Sequence, residues 1–245
     1  MAERLQKYLA GLGKGSRRQI EGWIKEGRIL VDDEPAELGQ RVDGTERIVI
    51  DGKPLRRQAG EQRHRTLMYH KPAGEICSRD DPQGRRTIFE SLPKILGARW
   101  ISVGRLDFQT TGLLLLTTDG DLANKLMHPS SVLQREYSVR VRGTLSDESI
   151  EQLLNGVQLD DGVAKFDALA IKDSTGANQT CIVSVSEGRN RVVRRLFEQV
   201  GCTVSRLMRV KYGSVSLPRD LRAGKYRNLT SVELASLKSR LDSVS

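Results

Sequence analysis

Cysteine, histidine and long apolar runs are all scarce in this chain of 245 residues. The three cysteines (Cys77, Cys181 and Cys202) are far apart and form no C-x-x-C pair. Neither a disulfide framework nor a cysteine-based zinc site is expected from them. The three histidines (His64, His70 and His128) have neither helix-face nor finger spacing, which argues against a histidine metal centre. The longest unbroken run of leucine, isoleucine and valine is Leu113–Leu116. A membrane helix needs roughly 20 apolar residues. The opening M-A-E-R-L-Q-K has no signal-peptide apolar core, so a soluble, cytoplasmic protein without membrane contact is expected. Also missing are G-x-S-x-G, G-x-x-x-x-G-K-[ST] and G-x-G-x-x-G. Their absence argues against an α/β-hydrolase, a P-loop ATPase and a Rossmann dehydrogenase.

Positive charge is abundant. Forty Lys and Arg stand against 31 Asp and Glu, a formal charge of +9, which points to a polyanionic partner, nucleic acid first. The charge is unevenly placed. Residues 1–28 hold seven basic and three acidic residues, residues 29–51 two basic and seven acidic, and residues 52–66 five basic and one acidic. This polarity places a domain of residues 1–58, a basic linker at 59–65 and a second domain over 66–245.

In the first domain, Leu5, Tyr8, Leu9 and Leu12 form a helical stripe that Gly11, Gly13 and Gly15 interrupt. Ser16 opens S-R-R-Q, a capping box with Gln19, and Ile20, Trp23 and Ile24 give the second helix its apolar face up to Gly27. Arg28–Val31 and Ile48–Ile50 read as strands, with Asp51-Gly52 as a hairpin turn. Lys14, Ser16, Arg17, Arg18 and Arg28 cluster around the start and edges of the second helix, where free N–H groups and cations together suit phosphate. The alternative is a solubilising helix surface. The stretch 3–50, with R-L-Q-K-Y-L-A and G-S-R-R-Q-I-E-G-W-I-K-E-G-R-I-L-V-D, resembles the RNA-binding domain typified by small-subunit ribosomal protein four, the S-four-like domain.

The larger part is rich in strands: Leu67–His70, Ile101–Val103, Leu113–Thr117, Glu136–Val141 and Thr180–Val185. Helices are expected from Thr118 to before Pro129, over Ser146–Asn155 and over Arg191–Val200. Isolated helices among strands indicate an α+β fold: a small N-terminal α/β domain followed by a domain built on a mixed, mainly antiparallel sheet.

The pairs Asp32-Asp33, Asp80-Asp81 and Asp160-Asp161 sit in turn-like stretches and read as structural. Asp119 and Asp121 read as helix caps, or as Mg²⁺ ligands of a nuclease together with Asp107. Asp107 lies in V-G-R-L-D-F-Q-T-T-G-L-L-L-L-T-T-D-G, between a strand ending at Val103 and one starting at Leu113. On pattern alone it is a turn residue or a catalytic carboxylate.

This stretch resembles the signature of RNA pseudouridine synthases, in the branch that acts on ribosomal RNA. H-K-P-A-G-E-I-C-S at 70–78, R-E-Y-S-V-R-V at 135–141 and S-E-G-R-N-R-V-V-R-R-L-F at 186–197 are similar to further motifs of that family, in the same order. A-R-W-I-S-V-G-R-L-D, L-M-H-P-S and E-G-R-N-R-x-V-R-R-L are most similar to members acting on large-subunit (23S) rRNA. The resemblance implies a cofactor-free isomerase with Asp107 as nucleophile or base. It implies that Arg189 is set against Asp107, where the opposite charge lowers the carboxylate pKa. Tyr137 is implied to stack on the target base; otherwise it is a core aromatic of its strand. Lys71, Arg105, Arg191, Arg194 and Arg195 are expected to contact RNA, within a basic track over 189–211 that has seven cations and one acid. The expected partner is a stem-loop of 23S rRNA or its precursor, bound by a monomer. A non-catalytic RNA-binding or ribosome-assembly protein of the same fold is the rival reading.

Overall fold

The computed structural model describes residues 2–55, 64–176 and 178–242. Most of the expected linker at 59–65 lies outside the described residues. The chain divides into two compact units. The smaller gathers Met1–Arg65 with Pro93–Ile101 and Thr118–Gly120, two segments that the sequence assigns to the larger domain. The larger comprises Thr66–Leu92, Ser102–Thr117 and Asp121–Ser245. No helix among the described residues is long and apolar enough to cross a membrane.

In the smaller unit, helices Leu5–Gly11 and Arg17–Lys25 pack on a four-stranded sheet ordered Glu34–Pro35, Ile29–Val31, Ile48–Ile50, Lys53–Pro54. Leu5, Leu9, Ile20, Ile24, Ile29 and Ile48 make the core. Ser16 caps the second helix reciprocally: its Oγ accepts from Gln19 N at 3.1 Å, and the Gln19 side chain accepts from Ser16 N at 3.4 Å. Asp51 and Gly52 take φ of 49° and 72°, the two positive values that a tight hairpin turn requires.

The larger unit is built on one sheet. Its strands run in the order Ala168–Thr175, Asn178–Val185, Arg135–Arg142, Thr203–Tyr212, Thr111–Thr117, Thr66–Lys71, Tyr226–Asn228. Along this order the contact between Thr203–Tyr212 and Thr111–Thr117 is parallel and every other is antiparallel. This is the mixed, mainly antiparallel sheet expected. Three of its strands escape a reading by alternation, Tyr226–Asn228 because it is only three residues long and two longer ones for different reasons. Ala168–Thr175 is an edge strand exposed along nearly its whole length, so it has no apolar face to alternate with. Thr203–Tyr212 slips register twice against Arg135–Arg142, between Glu136 and Tyr137 and between Arg140 and Val141. Each slip moves the inward residue by one position and breaks the period of two.

The single parallel contact is made at close quarters. Met208 pairs with Thr111 and Arg209 with Gly112. Gly112 has φ of +104°, and a Cβ there would stand 2.2 Å from the Arg209 carbonyl oxygen. Only glycine lets the two strands meet. Gly112→Ala is expected to destabilise the protein by at least about 2 kcal/mol, from backbone strain plus the clash. Urea denaturation followed by circular dichroism checks this, and a midpoint equal to the wild type contradicts it.

Candidate active site

The loop from Gly104 to Thr110, between strands Ile101–Val103 and Thr111–Thr117, carries Asp107. It is held from beneath by the segment that starts with Lys71. The Lys71 side chain is fully buried. Its ammonium donates to the carbonyl oxygens of Pro72 at 3.0 Å, Asp107 at 3.2 Å, Phe108 at 3.4 Å and Thr110 at 3.0 Å. Burial pulls the Lys71 pKa below the usual lysine value, against the charges of Cys77, Glu75 and Asp107. Cys77 Sγ lies 3.4 Å from both the carbonyl oxygen and the amide nitrogen of Leu106. Gly74 N donates to Phe108 O at 2.9 Å, and Thr110 N donates to Asp107 O at 3.0 Å. The backbone around Asp107 is thereby fixed on both sides, while its carboxylate makes no hydrogen bond or ion pair with any described residue.

That carboxylate lies in the wall of a cleft of about 1010 Å³, also lined by Arg105, Tyr137, Arg135, Arg189, Arg191 and Arg209. The volume is at the upper end for small-ligand sites. Tyr137 comes from Arg135–Arg142 and is 9% exposed. It follows directly on the register slip that makes Val210 the extra residue of the facing strand, so Tyr137 stands opposite Arg209. Such a bulge re-aims the side chains beside it. Arg209 is buried; its Nε donates to Leu113 O at 2.8 Å, and its guanidinium lies over the Tyr212 ring at 5.1 Å. Arg209 Nη2 and Thr110 Oγ1, both from cleft-lining residues, are buried without a hydrogen-bond partner.

Arg189 departs from the expected place against Asp107. Its guanidinium bonds the carboxylates of Glu187 and Asp161 and the carbonyl oxygens of Asp161, Gly162 and Val163. It is a clamp on the hairpin of strands Val157–Leu159 and Gly162–Ala164, with all three of its guanidinium nitrogens engaged. The side chain of that motif whose charge couples to Asp107 is Arg194. Burial and then Arg191 push the Arg194 pKa down, while Asp107 and Glu198 raise it. Its Nη1 donates to Val204 O at 2.8 Å, from the buried face of helix Val192–Gln199.

The expected RNA contacts are also redistributed. Lys71 and Arg194 are buried and cannot reach a phosphate on the surface. Arg195 holds Asp161 with two hydrogen bonds, at 2.8 and 2.9 Å. Arg28 is bidentate to Asp51, with both bonds at 2.7 Å, and also bonds Glu26. Ser16 is spent on its helix cap. Lys14, Arg17, Arg18, Arg105 and Arg191 remain exposed. Asp161, which reads in sequence as a turn residue, anchors both Arg189 and Arg195. Nothing in the local pattern marks that role, because its partners are 28 and 34 residues away. Arg191 has φ of +48°, an uncommon conformation for a side chain of its size, at the junction of the cleft and the helix.

Two family models match the chain: RNA pseudouridylate synthase over residues 65–199 and the S4 domain over residues 3–48. The chain belongs to the RNA pseudouridylate synthase family and carries an S4 domain at its N-terminal side. It is 54% identical over 243 residues to the ribosomal large subunit pseudouridine synthase B of Pseudomonas aeruginosa, covering 98% of this chain and 63% of that relative. It is 51% identical over 245 residues to the protein of the same name from Escherichia coli K12, covering 99% of this chain and 84% of that one. A crystal structure of a pseudouridylate synthase superposes with a TM-score of 0.66 at 28% identity, covering 96% of this chain and 99% of that one.

Lys71→Met, close in volume but without donors, takes this partner from the carbonyl oxygens of Pro72 and Thr110, while those of Asp107 and Phe108 keep backbone N–H donors. A loss of about 2–4 kcal/mol of stability is expected, at roughly 1–3 kcal/mol for each buried group left unsatisfied and with partial relaxation. Denaturant unfolding checks it, and a stability equal to the wild type contradicts the anchoring role.

Proposed function

We propose that the protein isomerises a specific uridine to pseudouridine in 23S rRNA of the large ribosomal subunit, with Asp107 as the reacting carboxylate. The observation that supports this most is that carboxylate itself: unpaired, on a loop anchored by Lys71, in a cleft lined by arginines. The names of the relatives supply the large-subunit substrate. In this reaction the bond from ribose to nitrogen breaks, the uracil turns, and a bond from ribose to carbon forms. Substrate and product have the same composition and oxidation level, so the chain's own side chains suffice for the steps proposed.

Asp107 either attacks the sugar or removes a proton from it; both uses need an ionised carboxylate. Arg194 and Lys71 are the cations whose titration senses that charge, so we assign to Arg194 the electrostatic role that the sequence gives to Arg189. Arg189 supports the cleft wall through Asp161. Tyr137 packs against the flipped base, with its hydroxyl available to a proton in transit. Taking the base out of its stack costs a few kcal/mol, which contacts along the RNA backbone offset. Arg105 and Arg191 serve that purpose at the cleft, and Lys14, Arg17 and Arg18 on the S4 domain. The reading takes residues 1–58 and 66–245 as an RNA grip and a catalytic domain, in a cytoplasmic monomer. Against a Mg²⁺-dependent nuclease, Asp119 and Asp121 lie at the start of helix Gly120–Met127, and among the described residues no three metal-binding side chains converge.

Asp107→Asn is expected to lower pseudouridine formation at least about a thousandfold while binding to the rRNA fragment persists. Tritium release from labelled uridine measures the first and filter binding the second; retained activity rejects the mechanism. Arg194→Gln is expected to lower kcat about 10²-fold, on the scale of a lost electrostatic contact in the transition state. Arg189→Gln is expected to act mainly on KM. The reverse pattern in single-turnover and steady-state kinetics returns the catalytic role to Arg189.

A further inference from the structure

The smaller unit pairs several of its cations. Lys7 meets Glu3 at 3.6 Å, Arg28 meets Asp51 and Glu26, and Arg47 meets Asp33. The side chains of Lys14, Arg17 and Arg18 have no hydrogen bond or ion pair with any described residue, and neither does that of Arg99. Arg99 belongs to Pro93–Ile101, a segment of the smaller unit that lies outside the stretch matched by the S4 model.

Geometry brings Arg99 to the start of the second helix. The segment is closed on itself by Trp100, whose indole N–H donates to Pro93 O at 2.9 Å, and Arg65 lies over the Trp100 ring at 5.5 Å. Ala98 sits against the turn before the helix: a Cβ on Gly13 would stand 2.8 Å from the Ala98 carbonyl oxygen and 3.1 Å from its Cα. Gly13 is thus required at φ of +73°, both for the turn and for this approach. The next residue on one side of the contact is Lys14, and on the other it is Arg99. Arg17 opens the helix, and its Nη2 lies 3.8 Å from where a Cβ on Gly120 would be, in the other added segment of the same unit.

Arg99 is half-buried, and burial and then the Arg17 charge both lower its pKa. A partly dehydrated guanidinium without a hydrogen-bonded acceptor, repelled by a second cation, is unfavourable in the free protein. A bound anion removes both costs, and the positive end of the capped helix adds to the same field.

We propose that Arg99 completes a binding site for an RNA backbone phosphate with Arg17 and Lys14, so that the RNA surface of the smaller unit extends beyond the S4-matching stretch. This rests on the reading of the substrate as RNA. Guanidinium forks match phosphate oxygens two at a time.

The test is binding of a labelled large-subunit rRNA fragment by the full chain at several salt concentrations. Arg99→Gln is expected to weaken binding about five- to tenfold and to lower the slope of log K against log salt by about one, while Arg99→Lys keeps the slope. Lys94→Gln, which removes an exposed charge from the same segment, is expected to leave both unchanged. The thermal midpoint of Arg99→Gln is expected to be no lower than that of the wild type, since a repulsion is removed. Wild-type affinity and slope in Arg99→Gln overturn the site, and so does an equal loss in Lys94→Gln, which would mean diffuse attraction. A wild-type chain that fails to bind the fragment overturns the RNA reading itself, a result distinct from either.

Discussion

One buried ammonium organises the cleft. Taking a lysine head group out of water costs several kcal/mol even after relaxation. Lys71 recovers that cost through carbonyl oxygens, three of which belong to the loop that carries Asp107. The loop therefore has one conformation in which the charge is solvated by the protein, and in that conformation the Asp107 carboxylate is left over. A carboxylate partner for Lys71 would have been cheaper electrostatically. It would also have left the loop unanchored. Lys71 and Asp107 are neighbours with opposite surroundings: one side chain is fully paired, and the other has no hydrogen bond or ion pair with any described residue.

The arginines divide in the same way. Arg189 and Arg195 converge on Asp161 and tie the hairpin around it to helix Val192–Gln199 and the segment leading into it. Arg194 turns inward and Arg209 lies within the sheet, each with a donor left without an acceptor. Arg105 and Arg191 stay at the surface of the cleft. A run that reads as a single basic track is in fact three populations: structural clamps, buried charges, and exposed cations. Their shared sign is what the net charge of +9 reports, and their different burial decides what each can do.

Local chemistry was legible where it is local. The Ser16 capping box, the Asp51-Gly52 turn and the strand Ile48–Ile50 follow from neighbouring residues and were visible in the sequence. The resemblance around Asp107 pointed to a loop that lies in the cleft wall. What stayed hidden depends on distance along the chain. That Lys71 faces carbonyl oxygens 36 to 39 residues away, and not solvent, cannot be read from H-K-P-A-G. That Arg194 points inward depends on which face of an eight-residue helix is buried, and this helix buries Val192, Val193, Arg194, Leu196 and Phe197. The strand Thr203–Tyr212 was masked by its own register slips.

The parallel contact at Gly112 has a consequence for how the molecule is made. Asp107 is translated before the midpoint of the chain, but its loop leads into a strand whose Leu113 accepts from Arg209, 96 residues later, and on the neighbouring strand Thr66–Lys71 His70 meets the carbonyl of Leu221, 151 residues later. Closing such distant contacts is slow, and until they close the sheet has open edges. A nascent chain still short of Thr203–Tyr212 holds the Asp107 loop without the strand that pairs with Thr111 and Gly112 just beyond it. The sheet around this loop is therefore complete only once the chain has been made as far as Asn228, whose strand pairs with Thr66–Lys71.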